Sequence, residues 1–316
     1  MSSLRLFFMG TAELACASLG ALTLETAFEV AGVVTQPDRP KGRDLKLQPS
    51  AVKQLALSKH LPVLQPERAR NEAFIAELGC YQPDLIVVAA YGQILPPSIL
   101  EMPRFGCINV HTSLLPKYRG AAPIQWAMLH DEAETGVTIM KMDAGLDTGD
   151  ILSQAATPIA PEDNGQSLHD RLARIGAGLL ARTLPEYLNG KIIPRPQPVE
   201  GASYARKITK EDGRLDWSQS ARALWNRVRA FTPWPGAFVF ETGAIKPRML
   251  KIWETKVDEQ LTGPPGQILS ADRTGIVVGC AEKSLRILSL QREGGRRLPS
   301  QEFLGGHALR AGDRLE

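Results

Sequence analysis

Short apolar runs alternate with amphipathic stretches through the first half of the chain. Residues 4–9, 30–35, 61–65, 85–90 and 107–110 are rich in Val, Ile, Leu and Phe, and the segments 13–22, 50–59 and 71–78 between them carry helical spacing. Strands buried on both faces need continuous apolar runs, so this half predicts an α/β domain with a Rossmann-like, mostly parallel sheet. Two further strands, 136–142 and 151–158, and a long helix over 167–188 complete it.

The pattern changes after Gly190. Pro194, Pro196 and Pro198 stand within five residues, which favours extended chain over helix or central strand, and 191–205 is read as a linker. Beyond it, a helical stretch at 218–230 precedes short β-like runs at 237–241, 250–253, 275–279 and 285–290. Short strands separated by turn residues predict a small barrel or sandwich. A length of 316 residues is long for one core. The expected division is therefore 1–190, linker 191–205 and 206–316.

Composition adds exclusions. Cys16, Cys80, Cys107 and Cys280 are far apart and form no C-x-x-C pair, so neither a disulfide framework nor a zinc knuckle is expected, and a reducing cytoplasm fits. Arg5 and the apolar residues after it superficially resemble a secretory leader, but Glu13 interrupts the run, and a strand, a turn at Gly10 and a helix explain it better. No apolar run approaches the roughly 20 residues needed to cross a bilayer, so no membrane partner is expected. Net charge is uneven: residues 206–316 hold 19 Lys and Arg against 13 Asp and Glu, and the remainder 18 against 21. The arginines 222, 227 and 229, and 292, 296 and 297, are candidates to follow a phosphate backbone, with solvated faces as the plain alternative.

Candidate chemistry converges on three residues. Asn109 and His111 are two apart on a predicted strand, so their side chains share one face, near the carboxyl end of a parallel sheet where ligands bind. An amide donor and an imidazole aimed together suit a reaction that develops negative charge on oxygen. Asp147, in the Asp- and Gly-rich stretch 143–150, would set the charge of the histidine or accept a proton. Each residue alone has a plainer role: Asn109 satisfying backbone at a strand end, His111 as a structural histidine, Asp147 holding a turn. Gly10-Thr11-Ala12-Glu13-Leu14-Ala15 lacks the glycines of a dinucleotide fingerprint, no Walker lysine motif occurs, and the five histidines are dispersed. The expected mechanism is metal-free.

The run from Cys107 through Asn109, His111, Ser113-Leu114-Leu115-Pro116 and Arg119-Gly120 to Gln125 resembles the signature of the folate-dependent formyltransferases, as do Glu134 to Met140 and Gly145-Leu146-Asp147-Thr148-Gly149-Asp150. Thr35 to Pro40 and Phe231-Thr232-Pro233-Trp234-Pro235 extend the likeness to the tRNA-directed branch of that family. The resemblance implies an OB-like C-terminal barrel that binds tRNA, 10-formyltetrahydrofolate as formyl donor, and the amino group of methionine on initiator tRNA as acceptor. It implies catalysis by Asn109, His111 and Asp147, contact with the folate along Ser113, Leu114, Leu115 and Pro116 with the pterin near residues 88–92, and contact with the tRNA acceptor stem by Lys41 and Arg43. A cytoplasmic monomer is the corresponding expectation. Thr112, Ala12 and Leu14 depart from the family pattern; the first bears on the turn into Ser113. Competing expectations are a glycinamide ribonucleotide formyltransferase, which generally lacks a second domain, a sugar-nucleotide formyltransferase, and a noncatalytic RNA-binding module on the same fold.

Overall fold

The computed structural model describes residues 4–41, 46–241 and 247–316, with no side chain described at Lys41. The chain forms two compact units. The first comprises Met1–Pro123, Glu134–Pro158 and His169–Ala205. Its sheet is built from β1 (Leu4–Gly10), β2 (Phe28–Val34), β3 (Val63–Leu64), β4 (Leu85–Ala89), β5 (Cys107–His111), β6 (Glu134–Lys141) and β7 (Ile151–Pro158), in the order β7-β6-β5-β4-β1-β2-β3. The pairings from β5 to β3 are parallel, and those of β6 with β5 and β7 are antiparallel. Leu6, Phe7, Phe8, Met9, Ile86 and Val87 are fully buried, the two-faced burial that the unbroken apolar runs require.

Helices cover this sheet, and their starts are legible in sequence. Ser50 accepts a hydrogen bond from the Lys53 N–H at the head of Ala51–Ser58, and Asn71 accepts from Ala73 and Phe74 at the head of Glu72–Cys80, which satisfies otherwise unpaired amides. The strand order reverses around β1, and the loops leaving β1 and β4 meet where the Thr11 N–H donates to the Ala90 carbonyl at 3.2 Å. β5 ends at His111 beside these loops, so the sheet delivers Asn109 and His111 to its carboxyl edge.

Residues 191–205 do more than join two units. Arg195 exchanges two backbone hydrogen bonds with Ile151 at the start of β7, and Tyr204–Ala205 pairs in parallel with Arg119–Gly120. The prolines keep this segment extended, and its amides and carbonyls find partners inside the first unit.

The second unit comprises Ile124–Ala133, Ile159–Leu168 and Arg206–Glu316. β8 (Ala237–Glu241), β9 (Arg248–Asp258), β10 (Ile268–Asp272), β11 (Gly275–Gly279) and β12 (Ser284–Arg292) run antiparallel in the order β8-β9-β12-β11-β10. The chain end closes the sheet: Glu316 donates to the Phe240 carbonyl on β8, Leu315 to Gly266, and Ile268 on β10 to Asp313. That closure makes a small barrel and removes its two open edges. Inside lie Val239, Leu250, Ile252, Ile276, Val278, Leu285 and Ile287, against Leu224 and Val228 of the Ser220-capped helix Ala221–Ala230. β10 was not foreseen from the pattern, since only Ile268 of its five residues is buried.

Candidate active site

Asn109, His111 and Asp147 come together at the carboxyl end of β5. Asn109 Nδ2 lies 3.4 Å from Asp147 Oδ1, and His111 Nδ1 lies 3.7 Å from Asp147 Oδ2. His111 and Asp147 side chains are only 6% and 14% exposed, so their interaction is little screened by water. The other imidazole nitrogen, Nε2, is 2.9 Å from the Tyr118 carbonyl. A carbonyl only accepts, so Nε2 carries a hydrogen, which leaves Nδ1 as the ring nitrogen that faces Asp147. A proton in the gap between Nδ1 and Oδ2 has an acceptor on either side.

The backbone around Asp147 is demanding. Asp147 has φ +52°, a left-handed conformation that aspartate tolerates better than most residues. A Cβ at Gly149 would sit 1.8 Å from the Lys141 carbonyl oxygen, so only glycine fits where the loop returns to β7. Asp143 braces the loop's start by accepting from the Gly145 N–H and the Thr148 hydroxyl. The Gly120 N–H donates to Asp147 Oδ2 at 2.8 Å and helps fix the carboxylate.

The expected folate segment divides by exposure. Ser113 is fully buried and its hydroxyl donates to the Lys117 carbonyl at 2.6 Å; Leu115 is buried against Met140 and Ile151. Leu114 and Pro116 remain half-buried. Thr138 ties the turn down: its hydroxyl donates to the Ser113 carbonyl, and the Leu115 N–H donates to it. Gln154 adds a bond to the Leu115 carbonyl at 2.9 Å. In the neighbouring 88–92 stretch, Ala90 is exposed while Tyr91 is buried, its hydroxyl lacking a hydrogen-bond partner among the described residues, and burial pushes that phenol up to about 12. Arg43 lies outside the described residues, as does the Lys41 side chain; the Lys41 backbone pairs with Lys46 in a short hairpin, Arg39–Lys41 with Lys46–Gln48.

One arginine cluster serves a different purpose from the phosphate contacts considered above. Arg222 holds Asp131 through both Nε and Nη2, Arg227 donates to the Asp212 carbonyl, and Arg229 donates to the carbonyls of Ala160, Pro161 and Asp163 while stacking 3.6 Å over Trp225. Burial lowers the Arg229 pKa to about 10, and the group remains charged at neutral pH. These guanidiniums tie the helix Ala221–Ala230 to its own unit. Arg292 and Arg297 also have partners, in Gly306 and in Ser289 and Glu254 respectively, whereas Arg296 is exposed and makes no ion pair among the described residues. Among the described residues, no three His, Cys, Asp or Glu side chains gather to hold a metal, and no helix is long and apolar enough to cross a membrane.

A mostly parallel sheet with an amide, an imidazole and a carboxylate at its carboxyl edge, in a chain that also carries a small barrel, defines a two-part group-transfer enzyme. Residues 4–184 match the formyl transferase family, and residues 207–308 match the C-terminal domain of formyl transferases. The chain is 50% identical to the methionyl-tRNA formyltransferase of Geobacter sulfurreducens (strain ATCC 51573 / DSM 12127 / PCA), over all of this chain and 98% of that one. It is 48% identical to that of Caldanaerobacter subterraneus subsp. tengcongensis, over 99% and 100%. Solved structures share the fold: WlaRD, a sugar 3N-formyl transferase, at TM-score 0.65 and 20% identity, covering 92% of this chain and 98% of that one. HypX from Aquifex aeolicus in complex with tetrahydrofolic acid does so at TM-score 0.63 and 19% identity, covering 96% and 47%. The chain belongs to the formyl transferase family and, within it, groups with the methionyl-tRNA formyltransferases.

Proposed function

We propose that this enzyme transfers a formyl group from 10-formyltetrahydrofolate to the α-amino group of methionyl-initiator tRNA, and that Asn109, His111 and Asp147 carry the chemistry. The observation that carries the proposal is the convergence of these three side chains in a chain alike from end to end to enzymes named for that reaction. When bound, the folate supplies an activated formyl group; the donor set at the site, an amide and an imidazole with no cysteine or serine nucleophile among the three, fits a carbonyl compound attacked directly by an amine.

Asn109 has a second amide N–H with no partner among the described residues, and this donor stabilises negative charge growing on the formyl oxygen. The methionyl nitrogen gains the formyl carbon as the carbon's bond to the folate nitrogen breaks, and the amine gives up one proton. His111 Nδ1 and Asp147 Oδ2 receive that proton between them, directly or through water, and return it to the departing folate nitrogen. Because Nε2–H is committed to the Tyr118 carbonyl, Nδ1 is the ring nitrogen left to take part in proton transfer, and the oxygen-stabilising role falls first on Asn109.

Leu114 and Pro116, with the exposed backbone near Ala90, would line the folate. Ser113 and Leu115 would shape that wall from beneath, consistent with their burial. Lys41 and Arg43 would reach the acceptor stem, and the barrel would follow the tRNA backbone. The setting proposed is a cytoplasmic monomer, checked by fractionation and sedimentation. The deciding experiment supplies labelled 10-formyltetrahydrofolate with initiator methionyl-tRNA, elongator methionyl-tRNA, a nucleotide-linked amino sugar or small amines. Label on initiator methionyl-tRNA alone is the expected result. Label on the amino sugar would move the enzyme to the sugar branch, and tight tRNA binding without transfer would leave a noncatalytic binder.

A further inference from the structure

Gln197 ties the loop that carries Asp147 to Arg119. Its Nε2 donates to the Asp147 carbonyl at 2.8 Å and to the Gly149 carbonyl at 2.8 Å, while its Oε1 accepts from Arg119 Nε at 3.1 Å and Nη2 at 2.8 Å. Arginine only donates and carbonyls only accept, so the orientation of the amide is forced. Both N–H groups and both oxygen lone pairs are used. The side chain is presented from a stiff support: Pro196 and Pro198 flank it, the residue before a proline is held extended, and two residues earlier Arg195 is locked to Ile151 by a pair of backbone bonds.

The same support reaches Asp147 by a second route. Arg119–Gly120 pairs with Tyr204–Ala205, and the Gly120 N–H holds the Asp147 carboxylate. One end of the 195–205 segment thus fixes the Asp147 backbone and the other fixes the strand that fixes its side chain. Asp147 needs such restraint because its φ of +52° is a conformation the chain does not favour by itself.

We propose that Gln197 is a positioning residue for formyl transfer, clamping the loop 147–149 to Arg119 so that the Asp147 carboxylate stays between Asn109 and His111. The inference rests on the function proposed above only for its kinetic arm. Misplacing a reacting group by about an ångström can cost on the order of 100-fold in rate, and loss of the clamp is expected to lower kcat about tenfold, with little change in KM for the tRNA.

Two variants test it. Gln197→Met keeps the length and removes both halves of the clamp. Gln197→Glu keeps the Arg119 half and removes the donors to the loop. Both should lose kcat while remaining folded at the assay temperature. In the substrate-free protein, the His111 ring resonances are followed by NMR at one fixed pH. Nδ1 faces Asp147 and Nε2 faces the Tyr118 carbonyl, and Gln197→Met should change those resonances as the carboxylate swings away. Parental kcat in Gln197→Glu, or unchanged His111 resonances in Gln197→Met, overturns the proposal. If the parent formylates no methionyl-tRNA, the functional assignment fails by itself, and the histidine spectrum still decides the role of Gln197.

Discussion

At the carboxyl end of β5, three polar side chains converge on one another, and one N–H of Asn109 has no partner among the described residues. On the helix Ala221–Ala230 of the barrel unit, three arginines converge and spend their donors on Asp131, on the Asp212 carbonyl and on the carbonyls at 160, 161 and 163. Both groups look functional in sequence. They differ in what surrounds them: the barrel arginines sit where their own unit offers a carboxylate and backbone carbonyls, whereas the three site residues meet one another with an Asn109 N–H left over. A cluster of charges is a binding surface only where the fold leaves it unspent.

The largest effect expected is at Asp147. Asp147→Asn keeps the size but removes the charge that draws a proton toward Nδ1, and turnover should fall on the order of 100-fold or more; normal turnover with an unchanged pH profile would reduce Asp147 to a turn residue. Asn109→Ala comes next, at about 3 kcal/mol of transition-state stabilisation, read from single-turnover rates with tRNA affinity held near the parent's value. On the barrel side the contrast predicts a different kind of loss. Arg229→Ala removes the hydrogen bonds donated to the carbonyls at 160, 161 and 163 and should lower unfolding stability by about 2 kcal/mol, measured by denaturant titration, while the salt dependence of tRNA binding stays as it was. Arg296→Ala should do the reverse, leaving stability alone and reducing the salt slope by about one. Arg43→Ala should weaken the preference for initiator over elongator tRNA, seen by comparing formylation of the two. If Arg229→Ala flattened the salt slope and Arg296→Ala did not, the division between spent and unspent arginines would collapse.

The smallest effect is a pH limb. The Arg206 guanidinium beside Asp212 holds its carboxyl well below the usual carboxylate range, helped by the Thr209 backbone N–H and hydroxyl. A carboxyl depressed in the folded state contributes stability that is fully present above its unfolded pKa of about 4 and is lost as pH falls toward the folded value. The barrel unit should therefore lose stability below about pH 4, and Asp212→Asn should shallow that decline in a melting series.

Most of the first unit was legible because a strand buried on both faces must be continuously apolar, and helix starts such as Ser50 and Asn71 carry their own caps. The pairing of Asn109 with His111 was legible for the same local reason, a two-residue period that any strand imposes. Asp147 could be nominated from its loop composition, yet its distances to the other two depended on β6 and β7 folding back antiparallel beside β5. Tertiary structure alone decided the rest. The proline-rich stretch 191–205 signalled extended chain, but nothing local revealed that Gln197 would find two carbonyls and a guanidinium some 48 to 78 residues away in sequence. The closure of the barrel by residues 313–316 was equally hidden, as was the fate of the arginines at 222, 227 and 229. Periodicity reports which side of an element faces a core; which polar atoms will be waiting there depends on segments the chain brings back from far along its length.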